Sequence, residues 1–85
     1  MPVAHESLVF SYQAGEEVVA ILDAAEAFDV ERGAPVPAGC TPRWTIGAIA
    51  ACLDRGRRPA YLLRFLHHGN PCVCIIDEAA IEGVA

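Results

Sequence analysis

Arg43-Trp-Thr-Ile-Gly-Ala-Ile-Ala-Ala-Cys-Leu-Asp54, Arg55-Gly-Arg-Arg-Pro59, Ala60-Tyr-Leu-Leu-Arg-Phe-Leu66, His67-His-Gly-Asn-Pro71 and Cys72-Val-Cys-Ile-Ile76 form one continuous stretch. Three apolar runs alternate with two short clusters holding Gly, Pro and charge, the pattern of a three-stranded antiparallel meander. Residues 43–54 also fit a helix, with Ile46, Ile49, Ala50 and Leu53 at helical spacing. Against the helix stand β-branched Thr45, Ile46 and Ile49 and the poor helix former Gly47, so the strand is preferred. In the second run Tyr61, Leu63 and Phe65 share one face and Leu62, Arg64 and Leu66 the other. After a turn at Gly69-Asn70-Pro71, Val73 and Ile75 face one way while Cys72, Cys74 and Ile76 face the other.

Upstream, residues 1–7 read as a loose lead-in. Leu8-Val9-Phe10-Ser11-Tyr12 reads as a short strand and Gln13–Glu16 as a turn, with Gly15 free to take a positive φ. Residues 17–28 fit two periods. Val18, Ala20 and Leu22 alternate as in a strand, whereas Val18, Ile21 or Leu22, Ala25 and Phe28 form a helical stripe. The expectation is a strand over 17–22 and a short helix or irregular arm over 23–30. Gly33, Pro35, Pro37, Gly39 and Pro42 then predict a long loop over 31–42, because proline removes amide donors. Downstream, Asp77–Ile81 reads as a single helical or 3₁₀ turn capped by Asp77, ahead of a final short strand.

Eighty-five residues make one domain, spanning 8–85 behind the lead-in, with 23–42 as an inserted loop or arm. A chain this short buries roughly 60–65% of its unfolded surface. Its residues are 54% hydrophobic, more than so small a core can hide, and self-association is the simplest cover. A homodimer is therefore expected. The net charge is −5 and unevenly placed: residues 1–39 hold seven acids against Arg32, residues 40–85 five arginines against four acids. An acidic chain without lysine is a poor general binder of polyanions, which makes nucleic acid an unfavoured partner. The N-terminus lacks the basic and long apolar regions of a signal peptide, and no apolar run approaches a bilayer span. A cytoplasmic protein with reduced thiols, away from membranes, is expected.

The order Gly-Glu-Glu-Val-Val-Ala-Ile (15–21), long loop, Trp-Thr-Ile-Gly-Ala-Ile (44–49), tight hairpin, Tyr-Leu-Leu-Arg-Phe-Leu-His-His-Gly-Asn (61–70), acidic turn and Ile81-Glu82 resembles the SH3-like barrels. Within them it is closest to the Tudor and chromo-type pattern, over residues 8–83. The resemblance implies a mainly β, five-stranded antiparallel barrel, and small barrels host many unrelated uses. Where Tudor domains bind methylated side chains they use an aromatic cage. The matching neighbourhoods here offer Trp44 or Ile46, Phe65 and His68. A cage needs several ring faces around the cation; with Ile46 or His68 in place of a ring, a methyl-lysine reader is disfavoured.

Chemistry-bearing residues are few. Cys72 and Cys74 with His67 or His68 hold the right donors for zinc, but structural sites use wider Cys spacings and a flat strand spreads its ligands. Small buried strand residues are the simpler reading, and no cofactor is expected. A Cys–His nucleophile would need an orienting group and an oxyanion site, and neither can be pointed to. Arg55, Arg57 and Arg58 crowd one hairpin, either as a solvated turn or as an anion clamp. Trp44, Tyr61 and Phe65 are candidate binding aromatics as well as candidate core. The sequence thus predicts a non-enzymatic interaction module for a protein, a peptide or itself. An anion- or nucleic-acid-binding barrel is the alternative, and a zinc- or thiol-dependent protein a further one.

Overall fold

The computed structural model describes residues 8–22, 26–36 and 44–84. The lead-in 1–7, the arm residues 23–25, and 37–43 with Cys40 and Arg43 lie outside the described residues. Among the described residues seven strands form one antiparallel sheet in the order β3-β2-β6-β5-β4-β1-β7. They are β1 (Glu17–Ala20), β2 (Glu26–Asp29), β3 (Ala34–Pro35), β4 (Ile46–Asp54), β5 (Pro59–His67), β6 (Asn70–Asp77) and β7 (Ile81–Gly83), with a 3₁₀ turn at Glu78–Ala80 before β7. Among the described residues no helix is long and apolar enough to cross a membrane.

The meander β4-β5-β6 is the spine, and its two turns explain its register. Arg55 and Arg58 exchange backbone hydrogen bonds of 2.9 and 3.3 Å. Between them Gly56 (φ 62°) and Arg57 (φ 66°) both take the left-handed conformation of a two-residue hairpin turn matched to strand twist. Asp54 Oδ1 accepts the Arg57 amide at 2.8 Å and holds that turn. The second turn centres on His68 (φ 51°) and Gly69 (φ 79°). It therefore lies one residue before the predicted position, and Pro71 sits inside β6 opposite Leu66.

The alternation in β5 and β6 is as expected. Tyr61, Leu63 and Phe65 are buried together with Cys72, Cys74 and Ile76, joined by Val18, Ala20, Ile49 and Ile81. Burying each large apolar side chain is worth about 1.5–3 kcal/mol. A register shift between Ile49 and Ala51 leaves one extra residue in β4, which bends the strand and sharpens its twist. Ile46–Ala48 pair with β1 (Val18 opposite Gly47), and Ala48–Asp54 pair with β5, so Ala48 has a neighbour on both sides.

Five expectations need correction. The sheet is open, and it has seven strands rather than five. The arm over 23–30 contributes no helix where it is described. Glu26–Asp29 is a strand on the edge of β6, with Ala27 opposite Cys74 and Phe28 opposite Val73. Ala-Phe-Asp is locally neutral, and the backbone groups of β6 decide its state. Part of the 31–42 loop is β3, which pairs back on β2; Pro35 is tolerated because it lies on an edge strand. Leu8–Tyr12 is not a strand. Its amides go to side chains instead, Ser11 N to Glu78 Oε2 (3.1 Å) and Tyr12 N to the Tyr61 hydroxyl (3.2 Å). Asp77 does precede the 3₁₀ turn, but its carboxylate makes no capping bond, and its Oδ1 is buried without a hydrogen-bond partner.

Candidate interaction surface

Strand pairing lays one row of residues across the side of the sheet away from the core. Glu17 lies opposite Ala48, Ala48 opposite Arg64, Arg64 opposite Val73, Val73 opposite Phe28, and Phe28 opposite Pro35. One row further, Val19 lies opposite Ile46 and Leu66 opposite Pro71, with Val30 donating its amide to Pro71 O. On the other flank Leu62 lies opposite Ile75. An antiparallel sheet with its core on one face ordinarily turns polar residues outward. Here the outward positions of β5 and β6 are apolar apart from Arg64 and, at the far end of β6, Asp77 opposite Ala60. Leu66 is 65% exposed, Ile46 54% and Phe28 42%.

Two shallow grooves shape this face, one on each side of Val73. The larger, about 430 Å³, is bounded by Phe28, Pro35, Leu62 and Ile75. The smaller, about 380 Å³, is bounded by Val30, Ala48, Leu66 and Pro71, with Arg64 the charged member of its lining. Among the described residues Arg64 and Glu17 make no ion pair, and the ion pair seen there is Arg32 with Asp29, 3.8 Å between Nε and Oδ2.

The residues singled out from the sequence fall into separate places. Tyr61 is fully buried and Phe65 is 5% exposed, both in the core. The Tyr61 hydroxyl donates to Glu78 Oε2 at 2.5 Å, and the Ser11 hydroxyl donates to Glu78 Oε1 at 2.9 Å. Phe10 and Tyr12 stand edge-on to the Tyr61 ring. Burial, then the bond to Glu78, pushes the Tyr61 hydroxyl up to about 12. Glu78 is held below the usual carboxylate range by the Tyr61 hydroxyl first and the Ser11 amide second. This knot ties residues 10–12 to the sheet. Trp44 is 67% exposed at the head of β4, its amide bonded to Ala20 O. His68 is exposed in its turn, its ring 4.2 Å from that of His67. Arg55, Arg57 and Arg58 are exposed at the opposite end of β5.

Cys72 and Cys74 face the core. Burial pushes Cys74 up to about 12, with Cys72 adding to it, and burial followed by the Asp29 charge raises Cys72. Protonated buried thiols are poor nucleophiles and poor metal donors. Among the described residues no three His, Cys, Asp or Glu side chains are grouped to hold a metal ion. In the native protein at pH 8 a thiol reagent should label exposed Cys52 and leave Cys72 and Cys74 untouched until denaturant is added. Peptide mass spectrometry reads this out, and prompt labelling at 72 or 74 would contradict the buried placement.

No protein-family model, curated protein or solved structure matches this chain. The surface must be argued from its own chemistry. The sequence reading passed over Glu17, Phe28, Ile46 and Val73 as a set, although Leu62/Leu66 and Val73/Ile75 already signalled a second apolar face.

Proposed function

We propose that this protein is a small interaction module without catalytic activity, which docks a protein or peptide partner, or a second copy of itself, on the outer face of β4, β5, β6 and β2. The observation that carries this is the apolar outer face, broken on β5 and β6 by Arg64 and, at the end of β6, by Asp77. Contiguous apolar surface beyond a few hundred Å² on a small protein marks an interaction site. An SH3-like architecture is part of the proposal. In its favour, β6-β5-β4-β1-β7 is the strand order of such barrels, with a 3₁₀ turn leading into the last strand.

The second reading is an anion or nucleic-acid clamp at the β4–β5 hairpin. What favours it is three exposed arginines within four residues and, among the described residues, no ion pair on any of them. One experiment separates the two. A photo-crosslinking amino acid placed at Leu66, and separately at Arg55, is activated in cells and the adducts are identified by mass spectrometry. The outer-face reading expects one identified protein, or the chain itself, captured at 66 and not at 55. Nucleic acid captured at 55 with nothing at 66 would replace it with the second reading.

A further inference from the structure

We infer that the outer face pairs with the same face of a second copy, about a two-fold axis along β4, with Arg64 of each protomer against the partner's Glu17. The inference rests on the docking reading above and names its occupant. Glu17, Ala48 and Arg64 lie on adjacent strands in one row. At about 4.8 Å between strands, the two charges flank Ala48 almost symmetrically. Such a row reads acid, alanine, base. A two-fold axis parallel to the strands and lying over Ala48, midway between the two sheets, reverses it, so each charge meets its opposite and alanine meets alanine.

The next row obeys the same operation. It sets Ile46 against the partner's Ile46, and Val19 against the partner's Leu66. Isologous pairing of this kind closes the assembly at two copies. Aligned sheets pack about 10 Å apart, and Ala48 at the axis offers no bulk to prevent that approach. A polyanion would meet the Glu17 carboxylate beside Arg64, and an uncharged apolar partner would leave both charges desolvated and unpaired. A second copy satisfies them together.

The test is sedimentation velocity of the full chain across a concentration series, with thermal melts to confirm that each variant folds. Wild type is expected to dimerise. Arg64→Glu and Glu17→Arg each bring like charges together at both symmetric positions, and each should weaken dimerisation at least about tenfold. The double variant restores opposite charges and should return to within about threefold of wild type. Leu66→Asp, outside the charged row, should also dissociate the dimer. A dimer broken by Leu66→Asp but indifferent to both charge reversals would overturn the row pairing while leaving the face as a docking site. A wild type monomeric throughout, with a foreign protein captured at position 66, would overturn the second copy alone. Monomer with no capture at 66 would overturn both readings.

Discussion

Replacing Gly47 by valine should leave the chain largely unfolded, and alanine at the same position should remove a large share of its stability. Gly47 is buried in β4 opposite Val18, on the core side of the sheet. A Cβ there would stand 2.7 Å from Arg64 O and 2.8 and 2.9 Å from the Leu63 side chain. The first neighbour is backbone, so no rotamer change relieves the clash. Overpacking of this kind costs about 1–3 kcal/mol, and a backbone contact belongs at the upper end. A domain of this length has a total stability of roughly 4–13 kcal/mol. Urea denaturation should place Gly47→Ala about 2–3 kcal/mol below wild type with an unchanged slope, and Gly47→Val lower still. Gly83→Ala is the control, since its Cβ would meet only Tyr12 at an ordinary 3.6 Å. An alanine at 47 as stable as wild type would mean that β4 and β5 are not this close. The consequence reaches function, because Ala48 and Ile46 on the outer face are held in place by the strand that Gly47 lets settle.

The second large effect lies in the Tyr61 knot. Tyr61→Ala should cost about 3–5 kcal/mol, the range for deleting a buried aromatic ring. Tyr61→Phe keeps the ring but leaves the Tyr12 amide without its acceptor and Glu78 without its shortest bond, at about 1–3 kcal/mol. The pH dependence separates these bonds from packing. The folded-state pKa of Glu78 is depressed below its ordinary 4.5. Its contribution is therefore present above pH 4.5 and is lost as pH falls through the folded value. Tyr61 is raised from 10.0 to about 12. Its contribution is complete below pH 10 and is lost as pH climbs toward 12. Glu78→Gln should flatten the acid limb of the stability profile, and Tyr61→Phe should flatten the alkaline limb near pH 10–12. Unfolding titrations across both limbs measure this; acid and alkaline limbs unchanged in both variants would refute the assigned bonds.

Both predictions concern residues whose partners are distant in the chain, and there the sequence was hardest to read. The Gly-Glu stretch at 15–17, the meander and the acidic turn were legible because their signals are local. Turns come from Gly56 and Gly69, strands from β-branched alternation, and the two faces of β5 from Tyr61, Leu63 and Phe65 alternating with Leu62, Arg64 and Leu66. Glu26–Asp29 was not legible. Ala and Glu around it favour helix, and only an unpaired edge of β6 supplies the hydrogen bonds that make it a strand. Leu8–Tyr12 misled in the opposite sense: apolar and aromatic, it pairs with no strand, because Phe10 and Tyr12 cover Tyr61 while its polar groups go to Glu78 and Tyr61.

Local pattern alone determined that this protein is mainly β, that residues 46–77 are a meander, and which residues of β5 share a face. Tertiary structure alone decided that the sheet stays open with seven strands, that Tyr61 belongs to the core, and that Glu17, Ala48 and Arg64 share a row. Alternation has a period of two residues and can be read within any one strand. A row across three strands depends on register, and register is set by the turns, the bulge in β4 and the packing of Leu63 over Gly47, which join residues far apart in the chain.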